Sequence, residues 1–299
     1  PFGVNLIGFA RGVLGIGEDI RMAAKSLEAA AIPYSVYEVH ADRSIDSNEN
    51  SLHFELSELM PYQANLFCLT GIETLRVGLT DYLPMMLRRY TNIGYWPWEF
   101  ERWPLVFQGS YELVDEIWAS TQFTAEAYKA DGRVNVECMP MHVDVSPSEG
   151  LRRKAFNLPT EAYLFLFTFD VSSSIHRKNP LAILRAFQAA FPKDDSSVGL
   201  VVKLMRGKSS YAPALLELRA AAKKDKRIIV IETTLPRAQL LDLIRACDAY
   251  ISLHRCEGFG RGMAEAMLLG KPVIATKYSG NLDFCTPKSA LLVDAELIP

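Results

Sequence analysis

Apolar residues in this chain gather in short runs, and longer stretches with helical spacing separate one run from the next. In the first half the runs that predict buried strands lie at 4–9, 34–38, 64–69, 92–96, 116–119 and 134–140. In the second half they lie at 164–169, 199–204, 228–232, 249–253, 272–275 and 290–293. Helical patterns follow at 18–30, 181–191 and 263–269, among others. Strand-length apolar runs alternating with amphipathic helices describe parallel sheets covered on both faces. A polar, turn-rich stretch at 144–159 separates the two series, so we expect two α/β domains, 1–145 and 146–299, each a doubly wound sheet.

Composition narrows the class and does little more. The 299 residues are 49% hydrophobic, enough for two sizeable cores. A formal net charge of −3 gives no overall basic field, so nucleic acid is not an expected partner. No apolar run approaches the roughly 20 residues needed to cross a bilayer, and Pro1-Phe-Gly-Val leads into a strand with no charged leader. The expected location is cytoplasmic. The five cysteines are scattered and never form a Cys-x-x-Cys pair, which reads as reduced thiols and not as a disulfide or zinc framework.

Chemistry concentrates in loops that follow strands, where doubly wound folds bind ligands. The densest is Glu257-Gly-Phe-Gly-Arg-Gly-Met-Ala-Glu265, between the run at 249–253 and a helix. Its glycines let the backbone approach a ligand, the helix start offers free N–H groups to an anion, and the two acids suit hydroxyls. A second loop, Phe169-Asp-Val-Ser-Ser-Ser-Ile-His-Arg-Lys-Asn-Pro180, places Arg177 and Lys178 between a strand end and a helix start, with Lys203 at the end of the next strand as a third cation. In the first half, Gly12, Gly15 and Gly17 form a Gly-rich first turn out of register for a dinucleotide fingerprint. Gly94-Tyr-Trp-Pro-Trp-Glu-Phe-Glu-Arg-Trp103 offers Trp96 and Trp98 as faces for a sugar ring and Glu99 or Glu101 to position a hydroxyl. The same aromatics would equally make a core. His142, alone beside the linker, reads as structural.

Taken together, the paired glutamates, the strand Gly270-Lys-Pro-Val-Ile-Ala-Thr276 and the turn Tyr278-Ser-Gly-Asn281 resemble the nucleotide-sugar site of glycosyltransferase family 4. Those enzymes are retaining and have the GT-B fold, two Rossmann-like domains facing across a cleft. Gly15-Ile-Gly-Glu18 is similar to the family's amino-terminal loop, and Met139-Pro-Met-His-Val-Asp144 to the segment that closes the first domain. The resemblance implies that Glu257 holds donor sugar hydroxyls with backbone support from Phe259 and Gly260, and that Glu265 holds the ribose. It implies that Gly15 and Gly17 approach the donor, while Lys178, with Arg177 and Lys203, meets the diphosphate. Glu257 and Glu99 are the candidate catalytic residues, with Trp96 and Trp98 on the acceptor side. No Asp-x-Asp pair follows a strand, so no metal or other cofactor is expected beyond the nucleotide diphosphate sugar itself.

The chain departs from the family pattern at several positions. Ala31 and Asn179 stand where Gly is common, Arg261-Gly262 replaces Leu-Pro, an expected Arg falls near Ser172, and the first-domain His is missing. The family also continues past the last strand, so a shortened second domain with exposed apolar surface is expected. The implied activity is hexose transfer, of mannose or glucose for instance, to a glycan or lipid-linked acceptor in polysaccharide assembly, with peripheral membrane contact. Two other readings stay open: a relative that hydrolyses or epimerises the nucleotide sugar, and a non-catalytic carbohydrate- or nucleotide-binding module.

Overall fold

The computed structural model describes residues 1–39, 56–57, 59–79, 90–130, 132–146, 148–205 and 212–297. The long polar run at 40–51, which the sequence reads as a loop, lies outside them. The chain divides into two units, Pro1–Val143 and Asp144–Pro299. The stretch at 144–159 is packed onto unit 2 and is no loose tether: the carboxylate of Asp242 accepts from the Ser148 hydroxyl and from the N–H groups of Glu149 (2.9 Å) and Leu151 (3.0 Å).

Unit 1 is a parallel sheet of β1 (Val4–Gly8), β2 (Tyr34–Glu38), β3 (Ala64–Cys68), β4 (Thr91–Tyr95), β5 (Glu116–Ala119) and β6 (Asn135–Cys138). The spatial order is β2-β1-β3-β4-β5-β6, and Leu56 adds a single parallel bridge to Val36 of β2. The described helices are α1 (Gly15–Ala29), α2 (Gly71–Gly78) and α3 (Gln122–Lys129). Thr70 caps α2 by accepting from the Glu73 N–H, and Thr121 does the same for α3 at Thr124. At the start of the sheet a buried amide ladder crosses three strands. Asn5 donates to Asn65 (2.8 Å) and Asn65 to Asn92 (3.0 Å), residues that are direct partners in the strand register.

Unit 2 contains β7 (Tyr163–Asp170), β8 (Val198–Met205), β9 (Ile228–Ile231), β10 (Ala249–Ser252), β11 (Val273–Thr276) and β12 (Leu291–Val293), ordered β12-β11-β10-β7-β8-β9 and all parallel. Its helices are α4 (Ile175–Lys178, one turn), α5 (Pro180–Ala190), α6 (Pro213–Lys224), α7 (Arg237–Ala246) and α8 (Arg261–Leu268). β8 is almost wholly buried along its length, as a strand between neighbours and under helices on both faces should be. Leu164, Leu166, Val201 and Tyr250 form the core under α7 and α8, and Phe167, Phe169, Leu200 and Leu204 form the one under α5 and α6. Every strand expected from the sequence is present, with ends shifted by one or two residues at most.

Candidate functional site

In a doubly wound sheet, a crevice opens where the strand order reverses, because the two loops leaving that point run to opposite faces. In unit 2 the reversal lies between β7 and β10. The loop after β7 carries Arg177 and Lys178; the loop after β10 carries Glu257. Topology alone therefore brings together residues almost eighty positions apart.

They meet as an ion triad. Arg177 Nη1 lies 3.0 Å from Glu257 Oε2, and Lys178 Nζ donates to Oε1. Glu257 is only 7% exposed. Burial by itself would push its carboxyl up, but the adjacent Lys178 and Arg177 charges hold it at about 2, so it is a fixed anion at neutral pH. Arg177, expected to meet the diphosphate, also donates to the Cys256 carbonyl at 3.0 Å and is itself buried, so it holds the carboxylate in place. Lys178 is the more open of the two.

The backbone around Glu257 is gripped from the turn after β11. Its N–H donates to Ser279 Oγ (2.8 Å), and its carbonyl accepts from the Gly280 N–H (2.9 Å). Ser279 has φ +77, a strained value for a residue with a side chain, and the strain sits directly on the acid's support. His254 lies beneath, buried. Its Nδ1 lies 3.0 Å from Ser252 Oγ, and its Nε2 faces two oxygens, the Tyr278 carbonyl and Asn281 Oδ1. Asn281 Nδ2 donates to the Thr276 carbonyl, which fixes the amide's orientation and assigns the proton to Nε2. Burial also pushes the His254 pKa down, consistent with a neutral ring. Asn179, where the family has Gly, takes φ +52 and donates to the Leu253 carbonyl at 2.9 Å; Asn is the residue that tolerates this conformation best after Gly.

Glu265 is the fifth residue of α8 and 3% exposed. Arg237, first residue of α7, places Nη1 2.6 Å from its Oε1. Burial raises the Tyr250 hydroxyl pKa, and the charges of Glu265 and Glu257 add to that rise, so both carboxylates lie near this hydroxyl. The Tyr250 hydroxyl meets Thr168 Oγ1 at 2.8 Å. A Cβ at position 262 would lie 2.3 Å from that hydroxyl, which explains why Gly262 stands there. Gly260 takes φ +95, turning the chain into α8 in a conformation a side chain would strain. Phe259 packs its ring on Phe284, 5.1 Å between centroids. Lys203 is paired in register with Thr168, is 4% exposed and donates to the Leu204 carbonyl at 2.6 Å. Burial lowers its pKa to about 8.

Unit 1 corrects part of the sequence reading. Trp96 is 1% exposed, with its ring packed against Trp103, Tyr111 and Tyr128, so no face remains for a sugar. It is core. Trp98 is half-buried, packs edge-on against Trp103 (4.8 Å) and donates from Nε1 to the Arg102 carbonyl. Burial raises the Tyr128 hydroxyl pKa, and the charge of nearby Glu99 adds a smaller part of that rise. The Gly-rich loop is shaped by a buried ion pair: Arg21 bonds Glu18 Oε2 and donates from Nη1 to the carbonyls of Ala10 (2.8 Å) and Gly12 (3.1 Å). A Cβ at Gly17 would lie 2.3 Å from the Gly12 carbonyl, so this glycine serves the loop's own packing, whereas Gly15 faces open space. His142 is exposed. Sequence reasoning did not single out His254 or Arg237. Neither has a spacing signal, since their partners come from other elements.

The two units together have the GT-B architecture of paired Rossmann-like sheets. Residues 152–297, nearly the whole of unit 2, match the family described as "Glycosyl transferases group 1". Among solved structures, HepE from Anabaena in complex with UDP and glucose is similar at 16% identity and TM-score 0.66, covering 98% of this chain and 86% of that one. Sucrose-phosphate synthase from Thermosynechococcus elongatus is similar at 14% identity, with the same TM-score and coverage. The pneumococcal O-GlcNAc transferase GtfA, in complex with UDP and GlcNAc, aligns at 12% identity and TM-score 0.56, over 78% of this chain and 46% of its own. No curated protein sequence matches the chain. Among the described residues, no helix is long and apolar enough to cross a membrane.

Proposed function

We propose that this protein is a retaining glycosyltransferase of the family 4 type, transferring a hexose from a nucleotide diphosphate sugar to a glycan or lipid-linked acceptor. The observation that carries the reading is the Lys178–Glu257–Arg177 triad at the strand reversal of the unit that matches a glycosyltransferase family. Glu257 is held ionised and oriented to accept from donor sugar hydroxyls, Lys178 and Lys203 meet the diphosphate, and Glu265 accepts from the ribose. Lys203 supports this by its cost. A Leu at that buried position would stabilise the strand by roughly 1.5–3 kcal/mol, whereas a lysine there loses hydration with no carboxylate partner among the described residues.

In the reaction the bond from the anomeric carbon to the diphosphate oxygen breaks, and the acceptor oxygen bonds the same face of that carbon. The acceptor's proton passes to the departing diphosphate. The leaving group gains charge as it separates, so fixed cations beside it stabilise the transition state more than the ground state. On this reading those cations take the part a metal plays elsewhere, and the reaction needs no resident metal. From unit 1 we assign Trp98 and Glu99 to the acceptor. The setting is polysaccharide assembly at the cytoplasmic face of a membrane.

The test is a panel of nucleotide sugars screened by thermal shift, since a donor at 100 times its dissociation constant adds about 2.7 kcal/mol of stability. Positive donors are then incubated with glycan and lipid acceptors, and the product's anomeric configuration is read by NMR. Donor consumption without transfer, or a product of inverted configuration, would sink the proposal.

A further inference from the structure

We propose that Arg237 is a positioning residue that fits Glu265 to a ribose, and that it makes the site select ribonucleotides over 2′-deoxyribonucleotides. The inference rests on the donor reading given above and deepens it. A buried carboxylate on a flexible side chain would tend to take up a proton and wander among rotamers unless a cation holds it. Arg237 supplies that cation from another helix, 28 residues away in sequence, at 2.6 Å.

Arg237 stands at an awkward place for a positive charge. It is the first residue of α7, at the helix end where the dipole disfavours cations. Its second terminal nitrogen, Nη2, donates to the Asp144 carbonyl at 3.1 Å, so the guanidinium plane is fixed on two sides. The same helix is fastened further along: Arg245 donates to the Val145 carbonyl, and Asp242 takes the bonds from residues 148–151. A guanidinium held this firmly offers Glu265 one orientation.

A carboxylate so oriented suits two neighbouring hydroxyls. A ligand lacking one hydroxyl gives up one hydrogen bond to that carboxylate, which costs about 10- to 100-fold in affinity. Without Arg237 the carboxylate loses the charged partner that orients it, and the discrimination falls with it.

The experiment measures dissociation constants of the full chain for uridine, guanosine and adenosine diphosphates and for their 2′-deoxy forms, by calorimetry. The wild type is expected to prefer the ribo form of whichever base binds by about 10- to 100-fold. Arg237→Gln should bring that ratio to within about threefold, chiefly by weakening the ribo form. Arg237→Lys keeps a charge but not the fork to Asp144; it should give an intermediate ratio and covers the case in which Arg237→Gln does not fold. A purely structural role would weaken both forms equally, and an unchanged ratio in a folded variant overturns the inference while leaving the donor reading intact. If the wild type binds none of the six diphosphates, the donor reading fails and this inference with it.

Discussion

Each unit buries an Arg–Glu pair near the carboxyl ends of its strands, and the two pairs do different work. In unit 1, Glu18 and Arg21 lie three residues apart on α1, and the arginine's spare nitrogen pins two carbonyls of the Gly-rich loop. The pair shapes backbone. In unit 2, Arg177 and Glu257 come from loops on either side of the strand reversal, with Lys178 as a second cation on the same carboxylate. There the pair poises a side chain. Similar topology and similar chemistry thus make a rigid loop in one place and a charged site in the other, which is why function has to be argued from loops and not from the fold.

The sharpest way to break the comparison is Glu257→Gln, which leaves the buried Arg177 and the half-buried Lys178 without their anion. We expect a loss of about 3–5 kcal/mol at pH 7, read from denaturant unfolding, together with loss of transfer. The folded-state pKa is depressed to about 2, so the wild-type contribution is fully present above the ordinary glutamate range and is lost as pH falls towards 2. The gap between wild type and variant should therefore close in acid. A gap that stays constant down to pH 2 would remove the ion triad from the account.

Arg21→Met tests the other pair. We expect unit 1 to lose roughly 3 kcal/mol, seen as faster amide exchange in β1 and α1. Nucleoside diphosphate affinity should change less than about twofold, since its proposed ligands lie in unit 2. A parallel fall in that affinity would mean that both pairs serve the donor directly.

Lys203 gives a smaller, pH-dependent signature. Its amine is charged below about 8 and neutral above, so diphosphate affinity should weaken as pH rises through 8, by at most about tenfold per unit. Lys203→Met should flatten that profile. Its stability effect has the opposite sign: burying the charge is unfavourable below about 8, so the variant should be the more stable one at pH 7. A pH-independent affinity in the wild type would take Lys203 out of the site.

The smallest effect returns to unit 1. Ala31 follows α1 with φ +54, its N–H bonded to the Glu28 carbonyl and the Ile32 N–H to the Leu27 carbonyl, a left-handed helix end built without glycine. Ala31→Gly should raise stability by about 1 kcal/mol, measured as a higher Tm. No gain would mean the chain relieves the strain in some other way.

Much of this was legible from sequence, for identifiable reasons. The strands were, because parallel strands buried on both faces leave dense apolar runs that turns interrupt. Helix starts were less so: α1 begins at Gly15 and α8 at Arg261, ahead of the first strong helix formers. Glu257 and Lys178 could be singled out by their loops, but not their contact, which only the strand order creates. Trp96 misled because an aromatic core and a sugar platform demand the same residues. Two departures from the family pattern, Ala31 and Asn179, proved to be left-handed positions occupied by other residues, a property of φ that composition does not carry.

The amide ladder of Asn5, Asn65 and Asn92 acts as a ruler for unit 1. Each asparagine is the second residue of a five-residue strand, so β1, β3 and β4 start and stop at the same height. A slip by one residue would part the amides, turn the strand's side chains over and move the following loop by about 3.3 Å. The loops beginning at Phe9, Leu69 and Trp96 therefore take their starting level from three buried side chains at the opposite edge of the sheet.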